Sequence, residues 1–67
     1  MSNKPIKIGD YIKAPQNKEA YVTQADPAIR VVMNHPDYCR VQAIWDAGHK
    51  ATLVVGGHAV SVHVDKL

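Results

Sequence analysis

Residues 38–64 read YCRVQAIWDAGHKATLVVGGHAVSVHV, and the alternation in this stretch decides the fold. Three runs of alternating apolar residues, Tyr38–Trp45, His49–Val55 and His58–Val64, are separated by Asp46-Ala47-Gly48 and by Gly56-Gly57. A two-residue Gly-Gly loop suits a primed hairpin turn. A three-residue loop ending in Gly suits a type I turn closed by a glycine bulge. Loop length sets register, because strand side chains alternate between faces with a period of two. The Gly-Gly loop then pairs Val55 with His58, Leu53 with Val60, Ala51 with Val62 and His49 with Val64. The Asp-Ala-Gly loop pairs Trp45 with His49, Ala43 with Ala51, Val41 with Leu53 and Cys39 with Val55. One face of the resulting meander carries Cys39, Val41, Ala43, Trp45, His49, Ala51, Leu53, Val55, His58, Val60, Val62 and Val64, with the two histidines at the strand ends. The opposite face carries Arg40, Gln42, Ile44, Lys50, Thr52, Val54, Ala59, Ser61 and His63. Two independently assigned turns thus agree on an apolar inner face and a mixed outer one.

Upstream, Ile6, Ile8, Ile12 and Ala14 share a parity, with Gly9-Asp10 between the pairs, which predicts a strand entered through a turn and ended by Pro15. Residues 15–18 read as loop and 20–23 as a short strand. Asp26-Pro27 fits an N-cap followed by proline at the first helical position. Ala28, Ile29, Val32 and Met33 have helical spacing, with Pro36 as the stop, so a short helix over 27–34 is one solution. Val31-Val32 supports the other, a strand over 29–33. The expected architecture is mainly β, a small barrel with a C-terminal three-stranded antiparallel meander and this one undecided segment.

Composition agrees. The 67 residues include Val, Ile and Thr at 9, 5 and 2 positions, against 2 Leu, 2 Met and 1 Glu. That balance favours strands over helices. A chain this short forms a single domain over 1–67 and buries roughly 60% of its unfolded surface, so partners or self-association help such domains. Its one cysteine excludes an intramolecular disulfide. No apolar run approaches the ~18 residues of a membrane span. The opening Met-Ser-Asn-Lys-Pro lacks a signal-peptide pattern, which leads to the expectation of a cytoplasmic protein with no membrane association. Charge is uneven. Lys4, Lys7, Lys13 and Lys18 against Asp10 give residues 1–18 a net of +3, within a total of +2.

The order of strand, irregular excursion and meander resembles small SH3-like barrels, whose opening strand begins with a Gly-Asp-apolar pattern like Ile8-Gly9-Asp10-Tyr11-Ile12. That group includes the KOW domains of ribosomal and transcription proteins and the plasmid-encoded type II dihydrofolate reductases. The resemblance implies a curled meander and a binding role. It implies no reductase site here, since Val60-Ser61-Val62-His63 stands where the reductases carry Val-Gln-Ile-Tyr.

No set of residues converges for catalysis. Cys39 falls on the apolar face without a neighbouring cation, which disfavours its thiolate. Ser61, His63 and Asp65 share a parity, but about 7 Å per step along a strand is too long for a hydrogen-bonded relay. Zinc needs three or four ligands at about 2.0–2.3 Å. His35-x3-Cys39 has usable spacing, yet Val55 separates Cys39 from His58, His49 lies at the far end and His63 on the other face. No metal and no cofactor is expected.

The remaining function is binding through the outer face. Arg40, Ile44, Lys50, Val54 and His63, with Trp45 at the strand end, are the candidate residues. Ile44 and Val54 add apolar surface that favours a protein partner or self-association into a homo-oligomer. The alternative is single-stranded nucleic acid, held by the basic N-terminal segment and the Arg40, Lys50 and His63 face, with Tyr11, Tyr21 and Tyr38 as possible stacking platforms. A third class, an oligomeric enzyme with a pore between barrels, has no residue to support it.

Overall fold

A computed structural model describes residues 6–22, 27–35 and 38–67. It contains four strands, β1 (Tyr11–Lys13), β2 (Tyr38–Trp45), β3 (Lys50–Val55) and β4 (His58–His63), with one helix, α1 (Pro27–Met33), between β1 and β2. Short 3-10 turns occupy Lys18–Ala20 and Val64–Lys66. The strands form one open antiparallel sheet in the order β1-β2-β3-β4. The fold is mainly β, as the β-branched composition requires. No helix among the described residues is long and apolar enough to cross a membrane.

The Gly-Gly hairpin has the expected register, with Val55 opposite His58, Leu53 opposite Val60 and Ala51 opposite Val62. Gly56 and Gly57 sit at φ +57 and +81, the two left-handed positions that a type I′ turn demands. A bond from Val64 N to His49 O at 2.9 Å continues the ladder one step past the strands.

The other hairpin differs from expectation at its tip. Val41 opposes Leu53 as expected, but Ala43 opposes Thr52, Ile44 opposes Ala51 and Trp45 opposes Lys50. The connection is therefore four residues, Asp46 to His49, and a bulge between Val41 and Ala43 restores the register. The slip exchanges the expected faces of Ile44 and Trp45: Ile44 packs against the core, and Trp45 lies on the outer face. The reason is polar satisfaction. Among the described buried side chains the Tyr21 hydroxyl, committed to Pro15 O, is the one oxygen, so an indole N–H placed there would find no other side-chain acceptor, and an unmet N–H costs about 1–3 kcal/mol. On the outer face Trp45 Nε1 donates to Thr52 Oγ1 at 3.2 Å. The tip is nonetheless strained, since Asp46 and Ala47 sit at φ 55 and 56. Asp tolerates this conformation and Ala does not. Ala47→Gly is expected to stabilise the protein by about 0.5–1 kcal/mol, read as a rise of several degrees in its melting temperature.

The inner face is continuous. Cys39, Val41, Ala51, Leu53, Val55, Val60 and Val62 are all buried. The segment over 27–34 is helical, because a helix places Ile29 and Val32 together on the buried side, whereas a strand would send them to opposite faces. Proline at the first position leaves no N–H to satisfy, and the helix packs on β4. The expected N-cap Asp26 and the stop Pro36 lie outside the described residues.

Of the expected strand over 20–23, Ala20 closes a 3-10 turn and Tyr21 makes a single antiparallel bridge to Val62, while Thr23 lies outside the described residues. Asn17 Oδ1 accepts from Glu19 N at 2.9 Å and commits these residues to the turn instead. Val22 N then donates to Ser61 O at 2.9 Å, which lays the chain along the β4 edge. Tyr21 is the largest side chain in the core, 1% exposed, and its hydroxyl donates to Pro15 O at 2.9 Å. Burial, helped by the nearby Cys39, pushes its phenol up to about 12 from 10.0. Burial also raises the Cys39 thiol above 9.0.

These shifts set the behaviour in alkali. Both groups are neutral when protonated, and the unfolded chain releases their protons at lower pH than the folded one. Their contribution is intact at neutral pH and is lost as pH rises from about 9 toward about 12, by up to roughly 3 kcal/mol for Tyr21. Urea melts at stepped pH are expected to show this decline. Tyr21→Phe is expected to flatten it above pH 10 while costing about 1 kcal/mol for the lost Pro15 bond.

Candidate functional site

The outer face is built by strand alternation. Tyr11 and Lys13 flank the inward Ile12 on β1, and Tyr38 and Arg40 flank the inward Cys39 on β2. The register brings Tyr11 opposite Arg40 and Lys13 opposite Tyr38. Arg40 continues across to Val54 and then Ala59. Past the bulge the rows are Ala43, Thr52, Ser61 and then Trp45, Lys50, His63.

Tyr11 is 65% exposed, Tyr38 57% and Trp45 40%. Tyr11 and Tyr38 occupy adjacent strands at one end. Trp45 stands about 20 Å away along β2 at a rise near 3.3 Å per residue. Lys13, Arg40 and Lys50 lie among these rings. None of the outward residues of the four strands is acidic.

Trp45 is held in place. Beyond its bond to Thr52, the Lys50 ammonium sits 5.4 Å from the ring centroid, a cation–π distance. Asp46 Oδ2 lies 3.3 Å from Lys50 Nζ and tethers that ammonium at the hairpin tip. So exposed a pair contributes little stability. Its effect is on the position of Lys50 over the indole.

Of the sequence-derived candidates, Arg40, Trp45, Lys50, Val54 and His63 come together on this face. Ile44 does not, since the bulge turns it into the core. Of the tyrosines, Tyr11 and Tyr38 are outward while Tyr21 is buried. Lys13 joins the face beside Tyr38, a neighbour that sequence reasoning missed. The parity of Ile12 and Ala14 already marks Lys13 as outward, but no hairpin ties β1 to β2, so its partner was unreadable.

The other reactive side chains are dispersed. Cys39 is buried and unpaired as a thiol, and His49 and His58 are exposed at the hairpin ends. Asp65 belongs to the C-terminal 3-10 turn rather than to the strand of Ser61 and His63. Among the described residues, no three His, Cys, Asp or Glu side chains gather as a metal site would require. The arrangement offers flat rings and fixed positive charge, which suits a ligand with planar groups and an anionic backbone. No family model matches the chain, and neither curated proteins nor solved structures yield a match.

Proposed function

We propose that the protein is a non-enzymatic binding module that holds single-stranded nucleic acid on the outer face of its sheet. The observation that carries this reading is the exposure of Tyr11 and Tyr38 beside Lys13 and Arg40 on strands without acidic residues, the Asp46 carboxylate standing apart at the β2–β3 turn against Lys50. Bases stack on such rings at about 1–3 kcal/mol each, whatever the sequence, and the cations neutralise the phosphates between them. The distance from Tyr38 to Trp45 spans a few nucleotides. Within this reading the fold is a small SH3-like barrel, supported by the order of strand, excursion and meander and by the Tyr21 bridge along the β4 edge.

The test is fluorescence anisotropy of labelled single-stranded oligonucleotides over a range of salt. With Lys13, Arg40 and Lys50 each meeting one phosphate, log K should fall against log salt with a slope of about −2. Arg40→Ala should reduce that slope by about 0.7. Absence of binding at low salt contradicts the reading.

A protein partner or self-association through the same face is the second reading, supported by the half-exposed indole of Trp45, a side chain common in interface hot spots. It rests on less apolar area than the sequence suggested, because Ile44 is inward and Val54 is the one branched aliphatic residue that the described strands turn to the outer face. Light scattering across protein concentration separates the two readings.

A further inference from the structure

Lys13 borders the outer face on one side and a cavity on the other. This cavity, about 300 Å³, opens beside β1 with Ile12, Pro15 and Leu67 among its apolar walls. Lys13 and Lys66 supply its cations, and Gln16 and Asn17 its amides. The amides are partly committed. Gln16 Nε2 donates to Ala14 O at 3.3 Å, which leaves the side-chain oxygen as an acceptor. Asn17 Oδ1 accepts from Glu19 N, which leaves the side-chain NH2 as a donor. The wall carrying Pro15 is braced by the Tyr21 hydroxyl bond to its carbonyl.

An apolar slot with one free acceptor, one free donor and two ammonium groups fits a planar heterocycle attached to a phosphate. Its volume lies at the small end of ligand sites, which run from about 300 Å³ upward. We propose that the cavity takes one nucleotide, its base against Ile12, Pro15 and Leu67 and its phosphate between Lys13 and Lys66. The choice of ligand class rests on the outer-face reading, since Lys13 is common to both places. A strand crossing Tyr38 would pass Lys13 and reach the cavity at the β1 edge.

The experiment is amide chemical-shift mapping of the full chain with uridine 5′-monophosphate, adenosine 5′-monophosphate and inorganic phosphate in separate titrations. Saturable shifts of Ile12, Gln16, Asn17 and Leu67 with either nucleotide, and not with phosphate alone, are expected. Lys66→Ala, a change at an exposed position, should weaken nucleotide binding about tenfold by removing a charge-assisted contact. Arg30→Ala, which removes an exposed cation of α1 outside both the cavity and the outer face, should leave it unchanged. Unmoved cavity signals, or equal shifts with inorganic phosphate, overturn the proposal. Parallel titration with an oligonucleotide keeps the two readings apart. Cavity shifts without any response at Trp45 support the cavity and sink the outer-face reading, while the reverse sinks the cavity alone.

Discussion

A Tyr38→Ala, Trp45→Ala double variant is expected to bind single-stranded oligonucleotide about a hundredfold more weakly than the parent protein. Each ring removed should cost about 1–3 kcal/mol of stacking, and about 1.4 kcal/mol is already tenfold in affinity. The two sites lie about 20 Å apart on β2 and share no partner, so their effects should add. Both side chains are exposed, and neither belongs to the core. Thermal melts of the double variant should therefore stay close to the parent, the Trp45 bond to Thr52 and the exposed Lys50 cation–π contact being lost. Ile44→Ala is the matched control, because it should lower stability and leave affinity intact. Anisotropy titrations of the two variants and the parent read the contrast directly. A loss of affinity in Ile44→Ala as large as in the double variant would place the ligand elsewhere.

Leu53→Ala is expected to remove a large share of the folding free energy. Leu53 is fully buried on β3, between Val41 of β2 and Val60 of β4, so the cavity it leaves cannot fill with water or a swinging side chain. Such truncations cost about 2–5 kcal/mol. A domain of this length holds only about 3–10 kcal/mol in total. A loss near 3 kcal/mol would lower the melting temperature by about 15–20 °C, given the small unfolding entropy of short domains. The adjacent residue offers the contrast. Val54 faces outward, and Val54→Ala should cost less than about 1 kcal/mol. Equal losses at positions 53 and 54 would mean that the sheet has two covered faces, which contradicts the architecture. Calorimetric or circular-dichroism melts decide it.

How much of this was legible beforehand depends on which contacts are local. The Gly-Gly hairpin was readable in full because two glycines specify both turn length and turn type, and register follows. The tip at Asp46 to His49 was misread by one residue, since Asp-Ala-Gly satisfies a three-residue loop on local grounds. What favours the longer loop is not local: it moves Ile44 against the core and lets the Trp45 N–H find Thr52. The helix over Pro27–Met33 was one of two open solutions, resolved by the need of Ile29 and Val32 to reach the same core. For the site, Arg40, Lys50, Val54 and His63 could be placed from parity alone. Tyr11 and Lys13 could not be set beside Arg40 and Tyr38, because the β1–β2 pairing closes across a long stretch of chain with no turn to count from.

The most direct test of the outer-face account is the fluorescence of Trp45, the chain's single tryptophan, during titration with an eight-nucleotide oligothymidine at low salt. The account predicts saturable quenching that Tyr38→Ala weakens about tenfold and that double-stranded DNA of the same length does not reproduce. An indole signal that stays flat throughout the titration, while light scattering shows the protein's mass rising with its own concentration, would contradict it and assign the face to copies of the chain.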